Sequence, residues 1–251
     1  MITCVYMIMF QFFSGRMPET GDLDLKFEIS AGKRPSFRQR AGHIRLRRAL
    51  EDFLPGEIER NLRLGRSPEI LERPFGFGSS GLPALPLDVE GRKERLSGAI
   101  DRVDTLASAG AAVVVDYKYS VGETVKRQRR ESIGEEMTHF QLALYLMALR
   151  EVLGMEPAGA ELVALRKKVE RYGVGRREIL DRAGLSGALQ EDWELMEEEE
   201  FGAFLARARR TMAGLVERIR ETATHIIMKS YKENGTTLFE QKEPERLPIS
   251  P

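Results

Sequence analysis

The sequence of 251 residues contains one cysteine, Cys4. A lone thiol builds neither an intrachain disulfide framework nor a metal site made of thiolates alone, and a reducing cytoplasm is the expected compartment. Net charge is also missing, since 39 basic residues balance 39 acidic ones. A polyanionic partner must therefore be held by a local patch and not by the field of the whole molecule. No apolar run suits a bilayer. The opening stretch MITCVYMIMFQFF, residues 1–13, falls short of the roughly 20 residues of a spanning helix, and it lacks the basic flank and small-residue cleavage site of a signal peptide. It reads as core-packing structure, with no membrane partner. A G-x-x-x-x-G-K-[ST] phosphate loop is absent, which excludes an NTPase motor of that type, and there is no internal repeat.

What is present suffices for one sizeable core, with 42% hydrophobic residues. The expectation is a single domain over 1–231, with its core at about 40–170 and a C-terminal helix at about 200–231. The polar, proline-bearing stretch 232–251 reads as a disordered tail. Ile44, Leu46, Leu50 and Phe53 fall near helical spacing, and Pro55-Gly56 supplies a break. Leu85 to Val89 alternates before a turn at Glu90-Gly91. The stretch GEEMTHFQLALYLMALREVL, Gly134 to Leu153, reads as a helix that packs against a sheet. AGAELVALRKKVERYGV reads as a strand with a charged end, and the acidic run 197–200 as a helix N-terminus favoured by the dipole.

The most informative region is RLSGAIDRVDTL followed by ASAG and AAVVVDYKYS. Two β-rich runs around a four-residue loop predict an antiparallel hairpin. With 107–110 as the loop, opposed positions sum to 217. Asp101 then stands across from Asp116 on one face, and Lys118 shares that face. Two opposed carboxylates repel unless a cation lies between them, which suggests a hard divalent ion such as Mg²⁺ that keeps several waters. Lys118 is placed to orient such a water or to stabilise developing charge, a set suited to phosphodiester hydrolysis. The bland alternative is a solvated strand-end ion pair. Asp104 faces the other side in this register and is expected to pair with Arg102 or cap the turn.

The blocks GAIDRVD, VVVDYKYS and QLALY, in that order from Gly98 to Tyr145, resemble the RecB and AddB nuclease domains of the PD-(D/E)XK superfamily. The resemblance implies an α/β restriction-endonuclease-like core with a mixed central β-sheet flanked by helices, and a metal-dependent, exonuclease-type deoxyribonuclease of DNA repair or recombination. It implies Asp101, Asp116 and the Tyr117 carbonyl as ligands of Mg²⁺ or Mn²⁺, Lys118 as the water-positioning residue, and Gln141 and Tyr145 as supports on one helix face. The family's histidine place aligns with Arg47, one turn after His43, when the helix is aligned through Glu51. His43 or Arg47 could reach the metal, and Glu51 could be a ligand or stand behind one. Glu72, before RPFGFG, resembles the glutamate that often precedes the site. Some AddB-type domains carry an iron–sulfur cluster on four cysteines; with Cys4 alone, none is expected here.

The run KRQRR, with Lys126, Arg127, Arg129 and Arg130, is expected in a loop bordering the cleft and contacting DNA phosphates. RKK at 166–168 is a second candidate. DNA is the expected partner, with a separate helicase or repair subunit feeding it. A catalytically inert nuclease-like module and a hydrolase of another phosphate ester are the competing readings.

Overall fold

A computed structural model describes residues 37–78 and 81–234 of the chain, with side chains over 44–45, 47–78 and 81–223. The expected apolar segment 1–13, the His43 side chain and nearly all of the tail lie outside the described residues. Among the described residues, no helix is long and apolar enough to cross a membrane.

Helix α1 (Phe37–Arg63) runs unbroken through Pro55. The expected break does not occur because Leu50, Phe53, Leu54, Glu57, Asn61 and, just past its end, Leu64 form one buried stripe at helical spacing. Burial of that stripe outweighs the roughly 3 kcal/mol that an internal proline costs a helix.

The sheet has six strands in the order β1 (Arg66–Phe75), β4 (Gly98–Leu106), β5 (Ala111–Lys118), β6 (Pro157–Ala164), β7 (Glu170–Arg176) and β8 (Trp193–Met196). A separate hairpin, β2 (Leu85–Val89) and β3 (Arg92–Leu96), lies between β1 and β4 in the chain. The β4–β5 pairs Arg102↔Val115, Val103↔Val114 and Asp104↔Val113 carry the register expected from the sequence. Strands β5 and β6 are parallel, so the chain must cross over between them, and it does so through α2 (Gly122–Ile133) and α3 (Gln141–Glu151). The sheet is therefore mixed and flanked by helices, as the sequence implied.

Strict alternation along β5 divides the interior. Ala112 and Val114 face a core shared with α3, the β2–β3 hairpin and the long helix α6 (Glu198–Asn234). Val113, Val115 and Tyr117 face a second core under α1 and the short helices α4 (Arg177–Arg182) and α5 (Ser186–Leu189). The side chain of Asp116 belongs to the α3 side. Glu198, Glu199 and Glu200 occupy the first turn of α6, where the helix dipole favours them.

Three expectations change. The single strand at 158–174 is two antiparallel strands, β6 and β7, joined by the turn that holds Arg166 to Lys168. The helix expected from Gly134 begins at Gln141, because Gly134 closes α2, its N–H donating to the Arg130 carbonyl at 3.0 Å. The basic run KRQRR lies in helix α2 and not in a loop.

The far edge of the sheet is closed by Trp193, whose indole lies on glycines. A Cβ at Gly159 or Gly173 would stand 2.5 Å from that ring, so neither position accepts a side chain without displacing it.

Candidate active site

Asp116 is the last inward residue of β5 on the α3 side, and it is buried. Its Oδ1 accepts a hydrogen bond from Gln141 Nε2 at 2.7 Å. The Lys118 ammonium lies 2.6 Å from Oδ2, on a side chain that is 26% exposed. That oxygen is shielded from water yet receives no well-directed hydrogen bond; the lysine supplies charge and leaves the lone pairs poorly satisfied. Burial raises the Asp116 carboxyl to about 6, with the neighbouring Asp101 pushing the same way and Lys118 opposing.

Asp101 Oδ2 accepts the backbone N–H of Tyr117 at 3.0 Å. One strand thus places two carboxylate sites together: its own Asp116, and Asp101 held through the next amide. Gln141 and Tyr145, one turn apart on α3, complete the cluster, with Gln141 Nε2 also donating to Tyr145 Oη at 3.0 Å. Burial raises the Tyr145 phenol to about 12, helped by Asp116 and Asp101 and opposed by the Gln141 bond. It therefore keeps its proton at neutral pH.

Glu72 lies on β1 between the pairs Leu71↔Arg102 and Arg73↔Ile100, beside Asp101 on the neighbouring strand. Its φ of 45° is left-handed, a backbone state that costs a non-glycine residue of order 1–3 kcal/mol. Among the described residues, no three acidic, histidine or cysteine side chains converge tightly enough to hold a metal by themselves. A hard divalent cation suits what is there, since Asp101, Asp116 and strand carbonyls offer only oxygen, and Asp116 Oδ2 is a buried acceptor lacking a directed donor.

Other expected residues have partners outside this cluster. Arg47 and Glu51 pair with each other at 2.8 Å in solvent on α1, a helix whose buried stripe packs on the sheet face opposite the Asp116 side chain. In α2, Arg127 pairs with Glu131 at 3.7 Å, Arg129 with Glu194 at 2.9 Å and Arg130 with Glu123 at 3.3 Å. Lys126 lies 5.9 Å over the Tyr172 ring. The charge of this run is largely met within the fold.

The reverse face of the same strands holds a buried ionic network, of which the sequence showed only the pairing of Asp104 with Arg102. Arg102 donates to Tyr117 Oη at 2.6 Å and to Glu57 at 2.8 Å, and its fork also grips Asp104. Arg171 pairs with Glu57. Glu161, fully buried on β6, receives Arg66 at 2.6 Å and both terminal nitrogens of Arg60 at 3.1 Å. Although burial opposes it, the guanidinium charges of Arg60, Arg66 and Arg171 hold the Glu161 carboxyl well below the usual carboxylate range. Glu161 in the otherwise apolar run AGAELVA was the available signal, because a carboxylate in the middle of a buried strand requires a cation.

A sequence model described as the PD-(D/E)XK nuclease superfamily matches residues 19–234. No curated protein matches the chain significantly.

Proposed function

The chain belongs to the PD-(D/E)XK nuclease superfamily, and on that premise we propose that it is a divalent-metal-dependent deoxyribonuclease of the RecB/AddB-like type, acting as an exonuclease in repair or recombination. The observation that carries this reading is the buried Asp116 held between Gln141 and Lys118 beside Asp101. Asp101, Asp116 and the Tyr117 carbonyl would hold Mg²⁺ or Mn²⁺. Bound there, the ion supplies Lewis-acid stabilisation of the phosphoryl oxygens and acidifies a water.

Each side chain then has a defined task. Gln141 fixes the rotation of the Asp116 carboxylate by binding Oδ1, which leaves Oδ2 turned toward Lys118. Lys118 orients the attacking water and offsets negative charge as it develops on the phosphate. Tyr145 accepts from Gln141, so its own proton remains to donate to a phosphate oxygen. Of the basic residues expected to meet DNA, Arg127, Arg129 and Arg130 are paired with Glu131, Glu194 and Glu123, so with Lys126 they add little to the attraction for DNA.

The deciding experiment is cleavage of linear and circular DNA, single- and double-stranded, with Mg²⁺ or Mn²⁺. Lys118→Ala and Asp116→Ala are expected to lower the rate at least about a hundredfold, with circular substrates spared by an exonuclease. Metal-dependent cutting that survives both substitutions refutes the mechanism. Absence of cutting on every substrate points to an inert nuclease-like module, and a pull-down would then ask whether a helicase or repair subunit is its partner.

A further inference from the structure

The residues that follow the Lys118 strand have no task in the chemistry above. Tyr119 is a large side chain left 48% exposed immediately after Lys118. The turn between β6 and β7 carries Arg166, Lys167 and Lys168, all exposed. None of the three forms an ion pair with a described residue, in contrast to Arg127, Arg129 and Arg130 on α2. The first residue of α2 offers phosphate little room, because the Glu170 carboxylate is packed against Gly122, within 1.9 Å of where a Cβ would be.

The backbone ties this turn to the catalytic strand. The parallel pair Lys118↔Ala164 is the last of its ladder. Beyond it, Leu165 N–H donates to the Lys118 carbonyl at 2.9 Å, and Arg166 N–H donates to the Ser120 carbonyl at 3.0 Å. Tyr119 lies between those two tie points. Lys167, at the turn, has a φ of 74°, the left-handed region that glycine occupies without strain. Adjacent strands are about 4.8 Å apart, while each strand of B-form DNA carries one phosphate per about 3.4 Å of helix axis. A polynucleotide cut beside Lys118 thus has its neighbouring phosphates within reach of the turn.

We propose that Tyr119 and the Arg166-Lys167-Lys168 turn form a substrate track at the carboxyl ends of β5 and β6, in which the turn neutralises DNA phosphates flanking the scissile bond and Tyr119 stacks on an unpaired base. The track deepens the nuclease reading and rests on it. An exposed phenol can stack only on a base released from a duplex, so the track favours unpaired strands over continuous duplex. Cations without ion-pair partners among the described residues give it affinity without sequence preference.

The test uses the full chain with Ca²⁺ in place of Mg²⁺, fluorescence anisotropy on labelled oligo(dT) and on a blunt duplex, and a salt titration. Tyr119→Ala is expected to weaken oligo(dT) binding about five- to a hundredfold with little change on duplex, and Tyr119→Phe to retain the affinity. Replacing Arg166, Lys167 and Lys168 by Ala should reduce the log–log salt slope by about 2, at about 0.7 per phosphate contact on a single strand. Lys167→Gly separates binding from folding: it removes a cation and relieves the left-handed strain, so affinity should fall while the melting temperature holds or rises. Unchanged oligo(dT) affinity in Tyr119→Ala together with an unchanged salt slope in the triple variant overturns the track. If the wild type cuts DNA in Mg²⁺ while these variants bind and cut as it does, the nuclease reading stands and the track alone fails.

Discussion

Replacing Asp116 by Asn is expected to make the metal-free protein more stable at neutral pH, while removing its activity. The carboxyl rises from an ordinary 3.8 to about 6, chiefly because burial disfavours its charge. The difference is about 2 units, which at 1.36 kcal/mol per unit is about 3 kcal/mol. The sign follows from proton counting. Between about pH 4 and pH 6 the folded chain holds a proton that the unfolded chain has already released, so wild-type stability falls as pH rises through that window and stays low above it. Asn never ionises. The variant should match wild type near pH 4 and exceed it by up to about 3 kcal/mol at pH 7, or about 6–12 °C in melting temperature for a chain of this size. The assay is urea unfolding in EDTA from pH 4 to 8. Saturating Mg²⁺ should then close most of the gap, because an ion at a hundred times its Kd adds about 2.7 kcal/mol to wild type alone. An Asn variant whose advantage is the same at pH 4 and pH 7, or that is less stable at pH 7, would refute the burial argument.

The remaining expectations concern the parts that hold the site. Glu161→Gln should destabilise the fold by about 3–5 kcal/mol, since it leaves Arg60 and Arg66 buried with their shared partner gone. Its pH dependence runs opposite to that of Asp116: a lowered carboxyl contributes fully above about 4.5 and loses that contribution only in stronger acid. The deficit should therefore persist from pH 8 to pH 5 in urea titrations, and a deficit confined to alkaline pH would contradict the ionic account. Gly173→Ala should lower stability by about 1–3 kcal/mol, because its Cβ would meet Trp193 at 2.5 Å and the Ala160 carbonyl at 2.8 Å. Gly202→Ala, with open space at an exposed position of α6, should raise it by about 0.5–1 kcal/mol; equal melting temperatures for the two variants would show that the Trp193 contact is not tight.

The hairpin was legible in the sequence because its signals are local. Four loop residues and two apolar runs fix the register that pairs Arg102 with Val115, and period-two alternation then assigns Asp116 and Tyr117 to opposite faces. The α1 stripe was partly legible, but Pro55 suggested a break, since local propensity carries no information about the packing that overrides it. The α2 run misled for a related reason. Five basic or polar residues read as a loop that meets phosphate, whereas helix formation pairs Arg127 with Glu131 and Arg130 with Glu123, and the fold brings Glu194 to Arg129. The ionic network was legible only at its local pair, Arg102 with Asp104; Glu57 and Arg171, which join it from other elements, each appear in the sequence as one ordinary charge in an unrelated stretch.

That network and the Asp101–Asp116 cluster are two faces of one strand pair. Arg102 follows Asp101, and Tyr117 separates Asp116 from Lys118, so the residues of each set alternate along β4 and β5. A well-packed apolar layer would stabilise the reverse face as well or better, since burying charges costs several kcal/mol per ion. An apolar layer, however, tolerates small slips. Arg102 does not: its fork must meet Asp104, Glu57 and the Tyr117 hydroxyl at once, which ties α1, β4 and β5 to a single register. A slip of one residue would move Arg102 to the Asp116 face and Asp101 to the reverse one, breaking both sets together. The hydrogen bond from the Tyr117 amide to Asp101 exists only in the native register, and it joins the two faces through one peptide. The buried charges beneath the site are accordingly a register lock for Asp101 and Asp116, which explains ionic residues where hydrophobic ones would pack.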